Sequence, residues 1–330
     1  MKKEGRQVYL NGKFVHEKDA KISVYDSALM FGDMVFEMTR SFNKKQFKLR
    51  EHLERLYASI KYVRIPLKMS MDEMEKHVYE TIEANEPSFS NDDEHRVMID
   101  VSRGLLSIYQ DVVGVEKGPN VIIADFPLRW TVASMGHLYD KGINVVIPSQ
   151  RAIPASLLEP KVKNRSRLHY LMANIEVSNY AGDDNWALLL DPDGFITEGT
   201  GDNFFLVKDN KLFTPEPRNI LRGISRKYIM EELAPELKIP CYEKNLELYD
   251  VVTADEAFFS GTPFCILPAT RINGQNIGDG KMSKITRLLL GKWSDNVGVD
   301  IISQIKKYSE AVKGKKGKGP SPYTFRGGDE

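Results

Sequence analysis

Residues 8 to 15 read VYLNGKFV, with Asn11-Gly12 set between two apolar alternations. Asn-Gly accepts the positive φ angles of a two-residue turn, so this dipeptide fixes a hairpin more firmly than any other short pattern. The same punctuation returns in the Asp193-Gly194 turn, within NFFLVKDNKLFTP (203–215) and around INGQN (272–276). A further hairpin is expected from VFEMTRSF and QFKL joined through NKK, and more strands at 97–102, 120–125, 143–147, 186–191 and in EAFFS. Helical stripes interrupt these strands. Leu53, Leu56, Tyr57 and Ile60 share one face of 51–63, a second helix covers about 71–85, and others are expected near 166–180, from Ser225 and from Ser283. Strands and helices mixed in this way give an α+β or α/β fold rather than a bundle or a sandwich.

The chain has 330 residues, more than one core ordinarily organises, so two domains are expected. The segment DFPLRWTVASMG mixes Pro, Ser and Gly with aromatics and reads as a link. That places an N-terminal α/β lobe at 1–126, an interdomain loop at 127–138, a second lobe at 139–300 and an extension at 301–330 whose end is rich in Gly, Lys and Pro.

Charge removes several function classes. The 46 Lys and Arg balance 46 Asp and Glu, which argues against nucleic acid or an anionic membrane as the main partner. The longest apolar runs are far too short to span a bilayer, and MKKEGRQVYLNGK has no stretch long enough for a signal peptide. Two cysteines, Cys241 and Cys265, make no disulfide framework, and a reducing cytoplasm is the simplest home. The histidines at 16, 52, 77, 95, 137 and 169 lack metal-ligand spacing, so no protein-held metal is expected. GTGDNF (199–204) begins like a dinucleotide fingerprint but lacks its third glycine and opens no helix.

What remains is a set of glycine turns and isolated charges. In ILRGISRKYIMEEL (220–233), Gly223 and Ser225 stand at the start of an amphipathic helix, whose free N–H groups suit a phosphate or an ordinary cap. FFSGTPF (258–264) is a strand running into a turn that carries the Thr262 hydroxyl. Glu198 lies between a strand and glycines, where a carboxylate is usually solvated. The basic stretch KVKNRSRLHY (161–170) would ordinarily be a wet surface.

Together and in order, YLNGKFV, FGDMVFEMTR, REHLERLYAS, PKVKNRSRLHY, ITEGTGDNFFLVKDNKLFTP, LRGISR and SGTPFCILP make the chain resemble the class IV (fold type IV) pyridoxal-phosphate aminotransferases over nearly its whole length. That family includes branched-chain amino acid, D-amino acid and (R)-amine transaminases and aminodeoxychorismate lyase. The resemblance implies a small N-terminal α/β lobe, a larger C-terminal pseudo-barrel lobe that binds pyridoxal 5′-phosphate, and a homodimer. It matches Lys163 to the lysine that forms the Schiff base with the cofactor and shuttles the proton. Glu198 matches the carboxylate facing the pyridine nitrogen. At an effective dielectric near 20 such a pair is worth roughly 4 kcal/mol, or about three pKa units. Arg55 matches the phosphate arginine, although on periodicity it falls opposite the Leu53/Tyr57/Ile60 stripe and looks solvent-facing. Gly223, Ile224, Ser225 and Thr262 would add phosphate donors, and Arg151 matches an arginine behind them.

On the substrate side the resemblance points to Phe36, with Phe31, Met34 and Met38 as apolar neighbours, and to Arg103 in VSRG. The Arg-x-His of D-specific members is missing after VSRG, and EHRVMID stands where branched-chain members carry Tyr-x-Arg. Pro263 occupies a turn where branched-chain enzymes offer a backbone N–H to the substrate carboxylate, and proline has none. Branched-chain amino acids with a 2-oxo acid such as 2-oxoglutarate are the first expectation. A D-amino acid or (R)-amine transaminase, a lyase using Arg165 and Arg167 on a polycarboxylate, and a binding protein without turnover stay open beside it.

Overall fold

The computed structural model describes residues 5–182 and 184–311. The chain divides into two compact units: the first runs to Trp130 and takes in Val162–Arg167, and the second holds Thr131–Lys161 and the chain from Leu168 onward. The residues 312–330 of the expected extension lie outside the described residues. Ile301–Ala311 ahead of them is helical.

In the first unit, β1 (Gln7–Leu10) and β2 (Lys13–His16) form the hairpin expected from Asn11-Gly12, whose φ angles are 50° and 88°. α1 (Ser27–Phe31) and β3 (Met34–Met38) follow, then the short β4 (Ser41–Phe42) and β5 (Lys45–Gln46). Next come α2 (Leu49–Tyr62), α3 (Met71–Asn85), β6 (His95–Ser102) and β7 (Asn120–Pro127). The sheet order is β2-β1-β7-β6-β3. The expected pairing of VFEMTRSF with QFKL is therefore corrected. β3 pairs with β6, Phe36 opposite Asp100, and the Thr39 N–H still donates to Val97 O. Only β4 and β5 form a local hairpin, closed by Asn43 and Lys44 at positive φ.

One sheet face is apolar, and α2 and α3 cover it. Val35, Val97, Ile99, Val101, Val121 and Ile123 meet Leu53, Leu56, Ile60, Met74 and Val78 in one core. Each fully buried side chain of this size contributes about 1.5–3 kcal/mol. A capping box between Ser70 and Glu73 starts α3. Because side chains alternate along a strand, Phe36 and Met38 on β3 and Arg96, Met98 and Asp100 on β6 face away from this core.

The second unit is built on a larger sheet. Its strands are β8 (Ile143–Val146), β9 (Asn185–Leu190), β10 (Ile196–Gly199), β11 (Asn203–Lys208), β12 (Lys211–Pro215), β13 (Cys241–Lys244), β14 (Glu256–Gly261), β15 (Cys265–Ile272) and β16 (Gln275–Asn276). The path β10-β9-β8-β15-β14-β11 closes on itself because β10 also pairs with β11, and six strands thus make a barrel. The pairing that closes it joins Glu198 to Asn203. Helices α4 (Leu168–Val177), α5 (Ile224–Tyr228), α6 (Lys284–Val297) and α7 (Ile301–Ala311) belong to the same unit, beside shorter helical segments at Leu138–Lys141, Ala234–Glu236 and Leu248–Val252. A π-helical turn, Ile229–Leu233, continues α5. The mixed fold with a barrel-like second lobe is the one expected from sequence. Among the described residues no helix is long and apolar enough to cross a membrane.

Candidate active site

Lys163 owes its place to backbone bonds on both sides. The segment 163–165 runs antiparallel along β3: the Phe36 N–H donates to Lys163 O at 2.9 Å, and the Arg165 N–H donates to Met34 O at 2.9 Å. The Lys163 N–H donates to Ser59 Oγ on α2 at 3.3 Å. Val162, just before it, is buried in the core of the first unit. A lysine held this way cannot drift with a surface loop. Its Nζ sits 4.7 Å from the centroid of the Phe36 ring, with the Arg165 guanidinium at 3.8 Å and that of Arg167 at 5.5 Å from the same ring. Phe36 is thus a platform beneath three cations. Arg165 is spent on Asp100, Nε to Oδ1 at 2.8 Å. Burial raises the Asp100 pKa although Arg165 opposes it.

Arg55 is not solvent-facing, contrary to its place opposite the leucine stripe. Its Nε donates to Glu37 Oε1 at 2.6 Å and its Nη2 to Oε2 at 2.8 Å, and its side chain is only 12% exposed. The reason is that Glu37 points from β3 toward α2, where His52, Arg55 and Ser59 form a polar edge beside the leucines. Burial alone would raise Glu37, but Arg55 and then His52, bonded at 2.8 Å, outweigh it and hold the carboxyl well below its usual range. The bidentate clamp fixes the guanidinium in direction.

In the second unit, Glu198 is 5% exposed rather than solvated. It accepts from Tyr170 Oη at 2.7 Å, from Asn203 Nδ2 at 3.0 Å and from the Leu221 N–H at 3.0 Å. The barrel closure itself delivers Asn203. Gly223 packs so closely that a Cβ there would collide with Asn203 Oδ1, which explains glycine at an ordinary φ of −65°. As N-cap of α5, Gly223 gives no side-chain cap, so first-turn N–H groups near Ile224 and Ser225 are left without intrahelical acceptors. Ser260, paired with Asn203 across β11 and β14, buries a hydroxyl with no protein partner. A buried carboxylate, open helix N–H groups and an unmatched hydroxyl in one unit fit a ligand with a cationic ring nitrogen and a phosphate.

Other expected site residues lie as follows. Thr262 and Pro263 form the turn between β14 and β15. Arg151 is exposed in the segment after β8. Phe31 is exposed at the end of α1. Arg103 is engaged: it pairs with Asp33 at 2.5 Å and donates to the carbonyls of Val63 and Arg64. Sequence reasoning passed over Glu37, His52, Asp100 and Asn203, and left Tyr170 open. Only Asn203 had a local signal, an asparagine heading the apolar strand FFLV.

A mixed first lobe and a barrel-like second lobe are the fold of the fold type IV enzymes. The family model for amino-transferase class IV matches residues 34–272. A putative branched-chain-amino-acid aminotransferase of Methanocaldococcus jannaschii is 38% identical over 290 residues, covering 88% of this chain and 96% of its own. The crystal structure of the Escherichia coli branched-chain amino acid aminotransferase superposes with a TM-score of 0.79 at 28% identity, covering 89% and 94% of the two chains. That of the branched-chain aminotransferase from the thermophilic archaeon Thermoproteus uzoniensis with norvaline gives 0.76 at 28% identity, covering 92% and 97%. The chain belongs to the class IV aminotransferases.

Proposed function

We propose that this aminotransferase moves the amino group of a branched-chain amino acid to a 2-oxo acid such as 2-oxoglutarate, with pyridoxal 5′-phosphate as cofactor. The observation that carries the reading is the double anchoring of Lys163 above Phe36. When bound, the cofactor supplies an aldehyde that takes up the amino group and a pyridine ring that withdraws electrons. Lys163 would hold that aldehyde carbon and, once displaced by the substrate amine, move the proton to and from the substrate Cα. Glu198, oriented by Tyr170, Asn203 and the Leu221 N–H, would keep a proton on the ring nitrogen. Arg55, Gly223, Ile224, Ser225 and Thr262 would bind phosphate, with Arg151 behind them. Phe36 and its methionine neighbours offer an apolar surface to a branched side chain, which supports that donor class. The names of the relatives support it too.

The lyase alternative relied on Arg165 and Arg167 to hold a polycarboxylate, and the engagement of Arg165 by Asp100 weighs against it. A homodimer is part of the proposal: Leu29, Met30 and Phe31 are exposed on α1, and a place for Phe31 in a substrate pocket needs a cover such as a second copy would bring. Cys241 and Cys265, neither of them in a disulfide, suit a reducing cytoplasm.

The test is to load the protein with cofactor, add single donors, and follow the visible absorbance. L-Valine and L-glutamate are expected to bleach it. If D-alanine or an (R)-amine reacts and L-valine does not, the branched-chain assignment fails. Lys163→Ala should abolish turnover while the variant still melts cooperatively. Normal turnover in that variant would move the lysine role elsewhere.

A further inference from the structure

Lys163 shares the Phe36 ring with two other cations. Its Nζ lies 4.7 Å from the ring centroid, and the guanidinium carbons of Arg165 and Arg167 lie 3.8 and 5.5 Å from the same point. Charges of one sign gathered on one ring repel one another. Asp100 is the carboxylate that the sheet brings to them: it is buried, and both Nε and Nη2 of Arg165 reach its Oδ1 at 2.8 Å. A buried ion pair of this kind adds little to stability over apolar side chains of the same volume. Folding alone therefore does not account for it.

The register of the sheet puts the pair beside the lysine. Asp100 is the partner of Phe36 across β3 and β6, and Lys163 is joined to Phe36 on the other side through the Phe36 N–H. Directly opposed side chains share a face, so lysine, ring and carboxylate stand in one row. Arg165, two residues beyond Lys163, points to that face as well and crosses the ring to reach Asp100. Because both stand on one ring, the Lys163 and Arg165 charges are at most about 8.5 Å apart. At an effective dielectric near 20, an uncompensated cation at that distance lowers an ammonium pKa by roughly one unit. Asp100 cancels much of that charge. The remaining charged groups around the lysine are Glu37 of β3 with His52 and Arg55 of α2, bonded to one another. Burial first, then the charges of Arg55 and Lys163, keep His52 below its ordinary pKa against the pull of Glu37.

We propose that Asp100 and Arg165 are a positioning pair for the Lys163 amine: the guanidinium on Phe36 disfavours the ammonium form, and the carboxylate sets how much of that guanidinium charge the lysine meets. This deepens the proposed function and rests on it, because only the unprotonated amine has the lone pair that bonds an aldehyde carbon or accepts a proton from the substrate Cα. The pair also couples two protonations. A proton taken up by Asp100 leaves Arg165 bare on the ring and makes Lys163 release its own more readily. Burial, opposed by Arg165, already draws the Asp100 pKa upward.

The experiment is competitive acetylation of the full chain, free of cofactor, with acetic anhydride across pH 7 to 11. The Lys163 peptide is followed by mass spectrometry, and the exposed Lys13 of β2 serves as standard. Asp100→Asn keeps the shape of the side chain and leaves Arg165 uncompensated, so the labelling midpoint of Lys163 should fall by roughly one pH unit. Arg165→Met should raise it. In the double variant Asp100→Asn/Arg165→Met it should return close to wild type, while Lys13 titrates alike in all four chains. A purely structural role predicts no such opposed shifts. An unmoved midpoint in Asp100→Asn, single variants that shift the same way, or a double variant that keeps the full Asp100→Asn shift overturns the proposal. Should Asp100→Asn not fold, Arg165→Met decides: its midpoint must rise, and an unmoved or lower one overturns it. Labelling needs neither donor nor turnover, so it stands apart from the donor test. Donors that bleach the cofactor while the midpoints stay fixed strike the pair alone, and midpoints that shift in a chain converting no L-amino donor sink the branched-chain reading alone.

Discussion

Glu37 shows how a single residue can position a site it does not touch. It has no exposed surface, and it meets Arg55 through two hydrogen bonds and His52 through a third. Replacing it by glutamine leaves a partly buried guanidinium without its counter-charge, a change that typically costs about 3–5 kcal/mol. Its carboxyl is held below the ordinary range in the folded chain, so the stability it contributes is fully present above the unfolded value of 4.5 and is lost as pH falls below that. Glu37→Gln should therefore melt well below wild type at pH 7, and the gap should narrow steadily as melting is repeated toward pH 3. A gap that is constant with pH would mean that the charge pair is not what Glu37 provides. Tyr170 offers a milder probe. Tyr170→Phe removes one donor to the Glu198 carboxylate, worth about 1.5–3 kcal/mol, and should weaken cofactor retention on dialysis while Asn203 and the Leu221 N–H keep the carboxylate in place.

At the scale of elements, the site depends on segments that borrow their geometry from distant strands. α5 begins at Gly223, where a Cβ would run into Asn203 Oδ1, and Asn203 is where β11 closes the barrel against β10. Gly223→Ala should push Asn203 off Glu198, with a cost of about 1–3 kcal/mol, as for other overpacked positions. Expected are a lower melting temperature and weaker cofactor binding together; a variant that binds cofactor normally would show that the contact has slack. The same contrast governs what could be read in advance. The hairpins at Asn11-Gly12 and Asn273-Gly274 were legible because their turn residues sit in the turn itself. β3 was misassigned because its partner β6 lies far along the chain, and nothing local in VFEMTRSF distinguishes that partner from QFKL. Arg55 looked wet because a periodicity argument counts apolar residues, while its partner Glu37 comes from another element. Lys163 and Glu198 were singled out through the order of motifs over the whole chain. The backbone bonds and donors that hold them, from Ser59, Tyr170 and Asn203, had no signature of their own.

The whole molecule adds a property that no single element carries. Its charges cancel at pH 7, and a protein without net charge has little long-range repulsion to keep copies apart. The cancellation depends on the last residues, since 312–330 hold five of the basic and two of the acidic side chains, which leaves residues 1–311 with a net charge of −3. Full-length protein should thus show a solubility minimum close to neutral pH at low salt. Moderate salt should relieve it, because at physiological ionic strength attraction between opposite charges on neighbouring copies is screened beyond about 8 Å. A chain ending at Ala311 should carry its minimum to a lower pH and be the more soluble of the two at pH 7. Precipitation by polyethylene glycol across pH 5 to 9, with both chains side by side, measures this directly. If both minima fall at the same pH, net charge is not what sets the solubility of this protein.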